Sequence, residues 1–274
     1  MTAPTGIAPD LATCYAQVLV PVDFSALSWR SLPLANAIAD AFGTPCRVVH
    51  VDTSSPWLDA PAHTLTLHAA PRGRGVQVDV VVAKSAADGI VRLLGDDESS
   101  LLVMSSHGHT AAAELAVGST TEDVLRRWQG PVLVTGPRTA IMTPFVSRIV
   151  VAVPPSAPLS VALATDVRAW ADRLDVPVEV VTVTDDAAGI AYDFEVERAQ
   201  LGHLTDIARA LDATPVHLQS RRTAHELLMF ANARPGTLLA MAPRVKPIAS
   251  QLVLGSVSKA VLRRSHGPIL FRHA

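Results

Sequence analysis

The chain has 274 residues, 49% of them hydrophobic, enough for two ordinary domains with a substantial buried core. Its formal charge of -2 is too small to suggest a nucleic-acid surface, and no apolar run is long enough to cross a bilayer. Cys14 and Cys46 are too few for a disulfide framework, and "MTAPTGIAPDLAT" is no basic, apolar leader, so the expected setting is a reducing cytoplasm.

Strand-like β-branched runs at 16–22, 45–52, 76–83, 99–105 and 131–135 alternate with helix-like amphipathic stretches at 26–42, 86–95 and 118–128. Between them, 53–75 is ambiguous: a short helix near 61–69, or a loop. A polar, proline-containing join, "TGPRTAIMTPFVS" from Thr135 to Ser147, follows. The alternation then repeats, with strands at 148–153, 177–184, 214–219, 237–242 and 267–272 and helices at 158–174, 192–212, 222–233 and 255–265. The repeat is visible residue by residue. "GSTTEDVLRRWQGPVLV" from Gly118 matches "GSVSKAVLRRSHGPILF" from Gly255, 137 positions on, and "VLVPVDFS" at Val18 matches "IVVAVPPS" at Ile149. The expected architecture is two tandem doubly wound, Rossmann-like α/β domains, 1–140 and 146–274, each with a mostly parallel five-stranded sheet. The first 145 residues carry 9 basic and 13 acidic side chains, the remainder 14 and 12, so the two surfaces differ in charge.

In such a sheet, ligands bind beyond the carboxyl ends of the strands. Three pieces of copy one should meet there: Asp23 after the first strand, Val51 near the end of the second, and the loop from Met104 to Gly118 after the fourth. Gly118 and Ser119 open a helix, whose N-terminal amides favour an anion, and Gly108 and Gly118 permit close approach of backbone to a phosphate. Ser119 and Thr120 add hydroxyls, and Asp23 can accept from a ribose hydroxyl or an adenine amino group.

"VLVPVDFS", "VVHV" and "MSSHGHTAAAELAVGSTTEDVLRRWQGPVLV" together resemble the universal stress protein family, and the resemblance runs over nearly the whole chain as a tandem pair. It implies an ATP site, with Mg2+ as the accompanying ion. Adenine would lie near Val22, Asp23 and Val51, ribose near Asp23 and Ser105, and phosphates near Gly108, Gly118, Ser119 and Thr120, with Pro21, Met104 and His107 also among the expected nucleotide-binding residues. Ser105 stands where the family pattern has its first glycine, and His109 where arginine is frequent. Copy two departs further: Pro154 replaces Asp23, and Ala242 and Val245 fall at Ser105 and Gly108, so it is expected to lack the site. The resemblance also implies that the fifth strands, lying at the sheet edges, pair antiparallel within the chain as an internal pseudo-dimer, or between chains as a homodimer.

Other motifs point nowhere specific. "HELLM" at His225 lacks the second histidine of a zinc-protease motif, His107 and His109 have no nearby Cys or carboxylate partners for a metal, and no catalytic residue can be assigned. The expectation is an adenine-nucleotide-responsive stress regulator, not an enzyme. The alternatives are a nucleotide-free scaffold acting through assembly and a slow ATP hydrolase.

Overall fold

The computed structural model describes residues 15–54, 63–67, 76–96, 98–106, 117–140, 142–155, 157–185, 194–243, 245–248 and 251–273. In copy one the elements run β1 (Val18–Pro21), α1 (Ala26–Arg30), α2 (Leu32–Phe42), β2 (Cys46–Asp52), β3 (His63–Leu67), β4 (Val76–Val82), α3 (Ala86–Leu94), β5 (Leu101–Ser105), α4 (Ser119–Arg127) and β6 (Val132–Thr135). Copy two follows with β7 (Arg148–Ala152), α5 (Val161–Leu174), β8 (Val178–Thr184), α6 (Phe194–Leu211), β9 (Thr214–Gln219), α7 (Thr223–Asn232), β10 (Thr237–Met241), β11 (Val245–Ile248), β12 (Gln251–Leu254), α8 (Ser256–Arg264) and β13 (Ile269–Phe271).

All but β11 and β12 join one 11-stranded sheet, in the order β3-β4-β2-β1-β5-β6-β13-β10-β7-β8-β9. Pairing is parallel within each copy except for β3, which lies antiparallel to β4. The fifth strands β6 and β13 therefore lie at the centre of the combined sheet, and its outer edges are β3 and β9. They pair antiparallel with Leu133 opposite Leu270, Val132 opposite Phe271 and Val134 opposite Ile269. Leu133 and Leu270 are the same repeat position, so a local twofold axis passes between them.

Three details depart from the sequence expectations. Residues 63–67 form a strand, which excludes the helix near 61–69; alternating "HTLTL" with two β-branched threonines suits an extended edge better than a helix. The single helix expected over 26–42 is two, because Ser31 Oγ bonds the carbonyl of Ser28 at 2.7 Å and Pro33 brings no N–H to the next turn. Among the described residues, copy two has the antiparallel hairpin β11–β12 just before α8, and the large sheet takes six strands from copy one and five from copy two.

Alternate residues of β1 feed opposite faces: Val18 and Val20 enter one core, Leu19 the other. Both cores take residues from both copies. On the first face Trp170 of α5 is fully buried against Phe42 of α2, with ring centroids 5.3 Å apart, and its indole N–H donates to Tyr15 Oη at 2.6 Å. Cys46 is a free thiol that burial pushes up to about 11. Along the seam, Lys259 Nζ lies 3.0 Å from Glu122 Oε1, again a pair of equivalent repeat positions.

Candidate nucleotide site

The cleft of copy one begins where β1 runs out. After Pro21 the chain turns sharply, with Phe24 at a φ of 63°. Asp23 holds that turn: its Oδ1 accepts from the Ser25 N–H at 3.0 Å, and its own N–H donates to Ser28 Oγ at 3.3 Å. Ser25 caps α1, its hydroxyl accepting from the Ser28 N–H at 3.2 Å. The helix cap is therefore Ser25, and Asp23 sits upstream of it, at the mouth of the cleft.

The second wall is β2. His50 Nδ1 lies 2.8 Å from the carbonyl of Val22, which can only accept, so Nδ1 carries the hydrogen. Copy two makes the same link with another residue: Thr182 Oγ1 donates to the carbonyl of Val153 at 3.0 Å. This tie between neighbouring strand ends thus belongs to the fold. Val51 is pressed by α3, where a Cβ on Gly89 would lie 2.5 Å from Val51 Cγ1, so only glycine lets this helix sit so close. The first turn of α3 is fixed by Ser85, which accepts from the Asp88 N–H at 3.1 Å and donates to its carboxylate at 2.7 Å. The Ser85 hydroxyl and then Arg127 of α4 hold the Asp88 carboxyl below its usual range.

The third wall is the start of α4. Gly118 donates to the carbonyl of Ser106 at 2.9 Å, and Thr121 Oγ1 donates to that of Ser105 at 3.3 Å, which locks the helix onto the end of β5. No side chain among the described residues caps this helix, and Gly118, Ser119 and Thr120 at its start line the cleft.

These pieces enclose a cleft of about 270 Å³. Of the residues expected from the sequence, Pro21, Val22, Asp23, Val51, Met104, Ser105, Gly118, Ser119 and Thr120 all line it. His107 and Gly108 lie outside the described residues. Ser28, His50, Ala86, Ile90, Ser106 and Thr121 line it too and were not anticipated. Ala86 and Ile90, four apart on α3, carried a helical-spacing signal, but one that served equally for the core. Among the described residues no group of three or more His, Cys, Asp or Glu side chains could hold a metal ion.

In copy two the segment between β10 and α8 carries a hairpin. Val245, the counterpart of Gly108, begins β11, and the chain back to Leu254 is committed to the hairpin ladder, with Val245 opposite Leu254. Pro154 takes the place of Asp23 and supplies no carboxylate.

The family model for universal stress proteins matches the chain twice, over 15–136 and 146–271, which together span most of its length. The chain belongs to the universal stress protein family. A universal stress protein of Synechocystis sp. is 29% identical over 131 residues, 47% of this chain and 46% of that protein. One of Methanocaldococcus jannaschii is 36% identical over 56 residues, 20% of this chain and 35% of that protein. The match thus spans less than half the length of either curated relative. Among solved structures, a universal stress protein of Archaeoglobus fulgidus superposes with a TM-score of 0.62 at 16% identity, covering 96% of this chain and 98% of that one. The cytoplasmic domain of a prokaryotic cation chloride cotransporter does so with a TM-score of 0.52 at 12% identity, over 93% and 94%. These likenesses establish a tandem universal stress protein fold, and family membership supports a role in stress response. Among the described residues no helix is long and apolar enough to cross a membrane.

Proposed function

We propose that copy one of this universal stress protein binds an adenine nucleotide, ATP, and that the chain acts as a nucleotide-responsive regulator rather than a turnover enzyme. The observation that carries the reading is the convergence on one cleft of the Asp23 turn, the β2 end and the glycine-started N-terminus of α4. The residues suit the ligand. Val22, Val51, Ile90 and Met104 supply apolar walls for a base, and Asp23 supplies a carboxylate for a sugar hydroxyl. Ser119, Thr120 and the first amides of α4 offer donors and a positive dipole end to phosphates. ATP would bring the charge and the phosphates to which a conformational response could be coupled. No side chain of the cleft is assigned a catalytic role.

Calorimetric titration with ATP, ADP, AMP and cyclic AMP tests this directly. About one ATP per chain is expected, since copy two lacks an Asp23 counterpart and folds its loop into a hairpin. Asp23→Ala should weaken ATP and AMP alike, on the order of tenfold, as for loss of a hydrogen bond to a charged group. Ser119→Ala should weaken ATP more than AMP. A folded Asp23→Ala variant with unchanged affinity for both nucleotides sinks the assignment, and two equivalent sites per chain would contradict the asymmetry.

A further inference from the structure

A second cavity, broadly open to solvent and of about 600 Å³, lies where the linker between the copies passes copy two. It shares no lining residue with the nucleotide cleft. Its walls are the linker at Arg138, Ala140 and Met142, the turn between α7 and β10, and the turn between α8 and β13. Because β6 and β13 run antiparallel, the amino ends of copy two's strands fall along the same sheet edge as the carboxyl ends of copy one's. The linker is a wall that neither copy possesses alone, so this cavity exists only in the tandem chain.

The walls are held in place independently of any ligand. Ala140 N–H donates to the carbonyl of His266 at 2.9 Å, and His266 N–H donates to Asn232 Oδ1 at 2.9 Å. Ser147 N–H donates to the carbonyl of Gly236 at 2.8 Å, and its Oγ to that of Pro235 at 3.0 Å. Arg30 Nη2 donates to the carbonyl of Thr139 at 3.2 Å, which anchors the linker to copy one. Gly236 has a φ of 75°, and a Cβ there would lie 2.6 Å from Ser147 Oγ, so the turn is close-fitted.

The frame presents an unusual mixture. Among the described residues, the ionisable side chains lining the cavity are Arg138, Arg234 and His266, with no carboxylate. Arg234 reaches Glu179 only at 3.6 Å, and that carboxylate also pairs with Arg148. Ala140, Pro235 and Met142 supply apolar surface, and Met142 is one of the few large hydrophobic side chains left exposed among the described residues. The size falls within the usual range for small-molecule sites, which are mostly apolar with a few placed polar groups. Guanidinium groups match carboxylates and phosphoesters with paired hydrogen bonds and retain their charge at any physiological pH.

We propose that this linker-walled cavity binds a small organic anion, an acidic head on an apolar body, with Arg138 and Arg234 on the head and Met142, Ala140 and Pro235 against the body. The site stands apart from the nucleotide reading and survives its failure. The test uses the full chain and two matched fluorescent probes: 8-anilinonaphthalene-1-sulfonate and its uncharged analogue N-phenyl-1-naphthylamine. One sulfonate probe per chain is expected, with the neutral analogue bound roughly tenfold or more weakly, as loss of a charge-assisted hydrogen bond implies. Arg138→Ala with Arg234→Ala should lower sulfonate affinity by about as much while leaving thermal unfolding nearly unchanged, since both side chains are solvent-facing. Met142→Ser should weaken both probes. Two results overturn the proposal: equal affinity for the neutral probe, or undiminished sulfonate binding in the folded double variant.

Discussion

Gly89 shows how one missing side chain shapes a site. Alanine is ordinarily preferred to glycine inside a helix by about 1 kcal/mol. At this position the added Cβ would press on Val51 Cγ1 at 2.5 Å, and Val51 is backed by α3 and lines the cleft. Overpacking of that kind costs about 1–3 kcal/mol. Gly89→Ala is therefore expected to lower stability in urea denaturation and to weaken ATP in calorimetry, by moving a wall rather than removing a contact. A stabilised variant with unchanged affinity would mean that α3 moves away freely. Asp23 is a different case: its carboxylate already orders the turn through the Ser25 N–H, so its replacement should be judged on affinity only after the fold has been verified.

Among the elements, the pairing of β6 with β13 decides most. Leu133 and Leu270 face each other on the local axis, and both are fully buried. Truncating a buried leucine removes transfer energy and leaves a cavity, so Leu270→Ala should cost about 2–5 kcal/mol. The ion pair across the same axis is a smaller matter. Glu122 and Lys259 are each partly exposed, and a pair of that kind contributes about 0–1 kcal/mol. Glu122→Gln should therefore be nearly silent beside Leu270→Ala in chemical denaturation; comparable losses would show that the seam is electrostatic. The hairpin β11–β12 engages, in its own ladder, the copy-two stretch that corresponds in sequence to the one between β5 and α4.

For the whole molecule, two shared cores and one continuous sheet predict a single cooperative unfolding transition in scanning calorimetry rather than one per copy. The axis region also carries a pH signature. Asp166 of α5 is buried beside Arg272, whose Nε lies 3.4 Å from its carboxylate, and burial pushes its pKa up to about 6 despite the guanidinium. A carboxyl raised in the folded state binds its proton more tightly there than in the unfolded chain. Its contribution is thus fully present below the ordinary carboxylate pKa and is lost as pH rises through about 6, a change of order 3 kcal/mol. Asp166→Asn should remove that gain on acidification, so the variant loses more stability than the parent between pH 7 and pH 4.5. Equal losses would show that Asp166 is not buried as described. His273 works in the opposite sense: burial lowers its pKa, and stability is lost as pH falls below the usual histidine range, in both proteins alike.

The repeat, the strand–helix alternation and most of the cleft were legible without coordinates, because these depend on local pattern. β-branched runs make strands, the offset between copies exposes the duplication, and ligands of such sheets gather at strand ends whose residues can be counted off. Ser28, Ser106, Ile90 and the link from His50 to Val22 were not legible, since each reaches the cleft through packing between segments distant in the chain or through a turn whose geometry no spacing encodes. The strand at 63–67 depended on β4 being there to pair with, and the hairpin at 245–254 on a partner strand nine residues or fewer away. Only the tertiary structure placed the linker, tied to Arg30 on one side and His266 on the other, as the wall of a second cavity. Sequence by itself determined most of the strands and helices, because backbone preference and side-chain period act over a few residues. The antiparallel pairing of the fifth strands followed from the family resemblance, and β6 and β13 pair in that way; the register, Leu133 opposite Leu270, and the cavity beside the linker were decided in three dimensions, because apolar edges specify burial but not the register in which they are buried.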